Sequence, residues 1–239
     1  MQPGDLVIPV YEFVLLLFSL SLHECAHAWT ASRLGDQTAR MQGRVTLNPM
    51  SHIDPVGTLI FPAIIIFGPL IGFSFFSGLI VGWAKPTPIT TRNFHKIVRD
   101  DNLTTLAGPA SNLLLVFLAI LVLVLYWVAV PGGALLVYAT LRGGVGLNTP
   151  FGLQAPVVLA RFAIEINLAL FFFNLLPIPP LDGSRLLRNL LPYNAVQAYD
   201  RIPYWVSLLF MVVFGAFIVH LLLDPSLNLV FWPFLRLNP

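Results

Sequence analysis

Charge and cysteine are what this chain has least of. Only 10% of its 239 residues are charged while 57% are hydrophobic. A mean hydropathy of +0.81 excludes an ordinary soluble domain, where about a quarter of residues carry charge. The net charge is +2 and the basic residues are scattered, so no patch exists for nucleic acid. The single cysteine, Cys25, excludes an intrachain disulfide and a cysteine-based structural zinc site. Residues 1–5 carry no lysine or arginine and the first apolar run ends in polar side chains, so no cleavable signal peptide is expected. Repeats, low-complexity tracts and an appended soluble region are absent from the pattern, and we expect a single domain over 1–239.

What remains is a set of long apolar runs. A hydrocarbon core of about 30 Å takes roughly 20 helical residues, and runs of that length fall at about 6–34, 103–130, 157–176 and 204–223. The expected class is an all-α polytopic membrane protein: a three-helix core plus a flanking helix. The stretch 58–83 is also long enough to cross, but Gly68-Pro69 and Gly72 interrupt it. We therefore read about 43–84 as a small membrane-associated β-hairpin or re-entrant element, with a short strand near 43–47. A further short hydrophobic element is expected at 134–141.

An even number of crossings in that middle region places three loops on one side. They hold Arg33, Arg40, Arg44, Lys85, Arg92, Lys96, Arg99, Arg185, Arg188 and Arg201, most of the 13 basic residues. The positive-inside rule makes that side cytoplasmic. The protein is thus expected in the cell (inner) membrane, with the bilayer as its surroundings and its site towards the cytoplasm.

The chemistry is concentrated in His23-Glu24-Cys25-Ala26-His27. Residues four apart share a helix face, so both imidazoles can reach one metal ion. Glu24 lies about 100° round the helix, where it can hold a metal-bound water. Cys25 points away from the pair and is read as packing. Ionisable groups inside an apolar segment are costly and imply function. Two histidines leave zinc needing a third protein ligand and an open position. Asp182, after the helix break at Pro177-Ile178-Pro179-Pro180, meets them only if helices 6–34 and 157–176 end on the same side, which again requires even crossings.

His23-Glu24-x-x-His27, Gly108-Pro109-x-x-Asn112 and Asn174-x-x-Pro177-x-Pro179-x-Leu181-Asp182-Gly183 occur in this order. In these three motifs the chain resembles the site-2 proteases, which are intramembrane zinc metalloproteases. Asn48-Pro49 and Trp83-Ala84-Lys85-Pro86 resemble the compact bacterial members without a PDZ or CBS domain. The resemblance implies one zinc ion per chain on His23, His27 and Asp182, with Glu24 as catalytic base. It also implies Asn112 and Asn174 as polar groups lining the site, and a core of three helices with a membrane-associated β-hairpin.

The expected function is zinc-dependent cleavage of peptide bonds in or near transmembrane segments of a membrane-protein substrate. Glu24 would take a proton from the zinc-bound water and later deliver it to the leaving amine. Asn112 is read either as a catalytic donor to the developing oxyanion or as a hydrogen bond between helices. Two rival readings are a catalytically silent binding or quality-control member, and a transporter of zinc or a small solute using the His-His-Asp cluster. A transport site is expected near the bilayer midplane, whereas this one lies towards one face. His52 is read as a solvated or interfacial loop residue, His95 and His220 as structural, and Glu165 as an i,i+4 partner of Arg161.

Overall fold

The computed structural model describes residues 6–73, 84–143 and 151–236. Its first helix, α1 (Val7–Arg33), is 27 residues long, about 40 Å. Ser19, His23, His27 and Ala31 recur every four residues and are all buried, so one narrow stripe of α1 faces the protein while Val10, Val14 and Phe18 are exposed. In a membrane helix this inverts the soluble rule: the buried stripe is the polar one, because lipid accepts apolar side chains but satisfies no hydrogen bonds.

α2 (Thr38–Met41) is a single turn after α1. Between them Asp36 is fully buried. Its carboxylate accepts hydrogen bonds from Thr38 N and Oγ1, from Thr90 N at 2.7 Å and from Asn93 Nδ2 at 2.8 Å. Burial alone would raise its pKa, but these donors hold it below the usual carboxylate value. Together with the bond from His95 N to Leu34 O, they bring the chain back at residues 90–95 to the end of the bundle it left at residue 34.

The intervening region is helical and broken. Asp54 caps it through Val56 N and Gly57 N. A wide turn over Pro55–Ile60 leads into α3 (Phe61–Phe67), and a tight turn over Gly68–Ile71 follows. The run ends at Gly72, whose φ of +79° suits glycine and few other residues. Residues 74–83, the expected return limb, lie outside the described residues. Among the described residues no strand is present, which corrects the strand expected at 43–47. Gly43 there has φ +69°, and Arg44 N bonds back to Ala39 O instead of to a neighbouring strand. The described limb, residues 55–71, is helical.

α4 (Ile97–Ala129) starts where α1 ends and runs antiparallel to it. Its buried residues Thr105, Gly108, Asn112, Val116, Ala119 and Leu123 follow the three-four spacing of a single face. α5 (Gly133–Leu141) occupies the short hydrophobic element and packs on α4. α6 (Phe151–Asn174) returns along α4 and α1, and these three helices pack against one another. Arg161 bonds Glu165 at 2.9 Å and the Thr140 carbonyl at 2.8 Å, pinning α6 to the end of α5.

After the proline break, α7 (Asp182–Leu190) begins with Asp182 in its first turn. Arg185 and Asn189 on α7 both bond the carboxylate of buried Asp101 at the start of α4, which fixes the end of α7 that bears Asp182. α8 (Tyr193–Tyr199) and α9 (Tyr204–Phe210) follow. A wide turn over Met211–Gly215 then joins α10 (Ala216–Arg236). The last apolar helix therefore runs on past the expected end near 223, over Pro225 and Pro233. Its packing on α5 and α6, with Phe231 and Phe234 buried, outweighs the backbone bonds the prolines remove. Among the described residues four helices are long and apolar enough to cross a membrane, Val7–Arg33, Ile97–Ala129, Leu153–Asn174 and Val213–Arg236, so the chain is an all-α multi-pass membrane protein.

Candidate metal centre

Because α1 and α6 end together, three side chains from two distant parts of the chain converge. His23 Nε2 lies 3.0 Å from His27 Nε2. Asp182 Oδ2 is 3.1 Å from the first and 3.2 Å from the second. The imidazole planes are nearly perpendicular, at 83°, and both histidines are buried.

The outward nitrogens explain what the inward ones present. His27 Nδ1 is 2.7 Å from the Thr104 carbonyl. A carbonyl only accepts, so Nδ1 carries the ring proton. His23 Nδ1 is 2.6 Å from Asn112 Oδ1, which assigns its proton in the same way. Both Nε2 atoms then offer lone pairs. Asp182 Oδ2 is buried without a hydrogen-bond donor among the described residues. Three acceptors packed together repel one another unless a cation lies between them. Tetrahedral zinc with these ligand types would set them about 3.3 Å apart, close to the observed spacing. The donor set fits a zinc ion.

Glu24 is directed differently. Its Oε2 accepts from Thr87 N at 3.1 Å and from Thr87 Oγ1 at 2.6 Å. Both side chains line a cavity of about 410 Å³ shared with His23, His27 and Asp182. Pro86 and Pro88 flank Thr87, so Thr87 supplies the one backbone N–H of that tripeptide. The carboxylate is thereby held beside the candidate metal position instead of joining it.

Gly108 accounts for the close approach of α4. A Cβ there would meet His27 Nε2 and, at 2.6 Å, His23 Cε1 and Nε2. Only a bare backbone fits against the histidine pair.

His23, Glu24, His27 and Asp182 are thus brought together, and Asn174 also lines the cavity while bonding its own helix at Leu170 O. Asn112 is placed otherwise than an oxyanion donor requires. It is fully buried, its oxygen faces His23, and its amide nitrogen bonds Asn167 Oδ1 at 3.0 Å. In the structure it bonds between helices, which is one of the two roles read for it. His52 is buried and not solvated, with Nε2 2.9 Å from Thr46 O. Sequence reasoning missed Thr87, Thr104 and Asn167. The signal for Asn167 was present, as an amide side chain inside an apolar span seven residues before Asn174. Thr87 and Thr104 act partly through the backbone, which residue type does not reveal.

Comparison with known proteins agrees with the motifs. Residues 11–216 match the profile of Peptidase family M50. A Bacillus subtilis (strain 168) protein named "Putative zinc metalloprotease YwhC" is 35% identical over 226 residues, covering 95% of this chain and 86% of that protein. "Putative zinc metalloprotease Rip2" of Mycolicibacterium smegmatis is 29% identical over 223 residues, 91% of this chain and 70% of that protein. No solved structure matches the chain.

Proposed function

The chain is a multi-pass membrane metalloprotease of peptidase family M50, and from that premise we propose that it cuts peptide bonds in or beside transmembrane segments of other membrane proteins. Its one zinc ion is held by His23, His27 and Asp182, and Glu24 is the catalytic base. The observation that carries this reading is the convergence of three acceptor atoms with Glu24 beside them in one cavity, at an end of membrane-spanning helices.

A zinc ion bound there supplies a Lewis acid that polarises a scissile carbonyl and makes nearby water more acidic. Glu24 takes the proton of the attacking water and passes it to the departing amine. Thr87 keeps one carboxylate oxygen fixed while that transfer runs. Asn112 and the Thr104 carbonyl hold the imidazoles in the tautomer that leaves Nε2 free, a task typical of groups behind metal ligands. A transmembrane helix conceals its amides in its own hydrogen bonds, so the substrate must unwind to enter the cavity. The ten basic residues of the three loops named above support a cytoplasmic position for this end of the bundle. The whole of 1–239 is read as one proteolytic domain.

Metal removal tests the proposal. The purified protein is reconstituted with single-span membrane proteins, and the products are mapped by mass spectrometry. We expect a strong chelator to abolish cleavage and added zinc to restore it, with cuts inside the span or within a few residues of its positively flanked end. Cleavage indifferent to chelation, or cuts confined to soluble regions, would refute the reading.

A further inference from the structure

Resting on the zinc reading above, we infer that Asn167 is a positioning residue that dictates which nitrogen of His23 carries the proton. It does so through a hydrogen-bond relay whose direction is set by a backbone carbonyl. Asn167 does not line the metal cavity. It lies with Ser19 against an apolar groove of about 330 Å³ between α1, α4 and α6.

The relay starts at Ala163 O, which accepts from the Asn167 side chain at 2.8 Å. A main-chain carbonyl has no proton to give, so the Asn167 atom facing it is the amide nitrogen. The Asn167 oxygen then points the other way, 3.0 Å from the Asn112 side chain. That contact needs a donor, so Asn112 presents its own nitrogen there. Its oxygen is left facing His23 Nδ1 at 2.6 Å and again can only accept. The proton must therefore sit on Nδ1, and Nε2 keeps its lone pair towards His27 and Asp182. Reversing any one link sets two acceptors or two donors face to face. Asn112 is 0% exposed, and Asn167 and Ser19 are each 1% exposed, so water does not relieve such a mismatch.

Ser19 distinguishes a directional relay from a merely buried polar cluster. Its hydroxyl is 3.0 Å from Asn167 Nδ2, but a hydroxyl rotates to donate or accept and so imposes no direction. The direction comes from Ala163 O alone. His27 obtains the same tautomer in one step from the Thr104 carbonyl, whereas His23, nearer the middle of α1, obtains it across three helices.

The test is made on full-length protein with ¹⁵N-labelled histidine, His23 being assigned against H23Q, and with Zn²⁺ as the probe. In wild type, His23 Nδ1 should carry a slowly exchanging proton with or without zinc. Asn167→Leu keeps the side-chain volume and removes the relay. In the zinc-free protein it should lose that N–H signal, and it should weaken zinc binding by about 10-fold to 100-fold, while Ser19→Ala leaves both unchanged. A wild-type His23 without a proton on Nδ1 would overturn the relay whether or not any variant folds. So would Asn167→Leu with unaltered signal and affinity, or Ser19→Ala with an equal loss. A wild type that shows the Nδ1 proton but takes up no zinc would defeat the metal reading and leave the relay standing.

Discussion

Replacing Glu24 by glutamine is expected to slow cleavage by orders of magnitude while leaving bound zinc at the wild-type level. The carboxylate is not one of the three converging acceptors; its Oε2 is held by Thr87 N and Oγ1. Glutamine keeps a carbonyl oxygen that can accept the same two bonds, so shape and positioning survive. What disappears is the capacity to take and return a proton. General acid–base groups contribute about 10²-fold to 10⁴-fold, and the loss in kcat should fall in that range. Cleavage rates measured on zinc-loaded wild type and Glu24→Gln check this. A glutamine variant that cuts at the wild-type rate would remove Glu24 from the mechanism. One that loses its zinc would place the carboxylate among the ligands.

Gly108→Val should be the most damaging single change outside the ionisable residues. Even the first carbon of a side chain would meet both imidazoles, and valine adds two branches in a helix that leaves little rotamer freedom. Either α4 moves away from α1 or the histidines rotate off the metal position. Overpacking of this kind costs about 1–3 kcal/mol and occasionally more. The movement also separates Asn112 and Thr104 from the rings they orient, since Thr104, Gly108 and Asn112 lie on one face of α4. The expected result is purified protein with little zinc and a lowered unfolding temperature, and Gly108→Ala should show the same in milder form. Full zinc occupancy and unchanged melting in Gly108→Val would mean that the observed approach of α4 to the histidines is wrong.

The parts of this architecture written in local sequence were readable before the structure. Long apolar runs locate the spans because lipid tolerates little else, and the four-residue spacing of His23 and His27 puts both on one helical face. Asp182 could be proposed as their partner because zinc needs a third protein ligand and Asp182 follows the proline break that ends the apolar run 157–176. The limits were equally physical. The last apolar run was read as ending near residue 223, but the helix continues to Arg236 over Pro225 and Pro233, with Phe231 and Phe234 buried. Val45 and Thr46 suggested a strand, yet the described residues offer no partner strand, and β-branching without pairing does not make a sheet. Asn112 was visible as a polar group in a span, but its partners come from α1 and α6. Only the packed bundle shows that its two polar atoms are committed to His23 and Asn167.

The central claim is that α1 and α7 share one zinc ion, and the most direct test is zinc content per chain in purified wild type and Asp182→Asn. Asparagine keeps the size of aspartate but offers a neutral oxygen in place of a charged ligand, so the packing of α7 is preserved while the third donor is weakened. The account predicts about one zinc per wild-type chain and its loss, or a much weaker hold, in Asp182→Asn. Wild-type zinc content unaffected by the substitution, or no zinc in either protein, would contradict it.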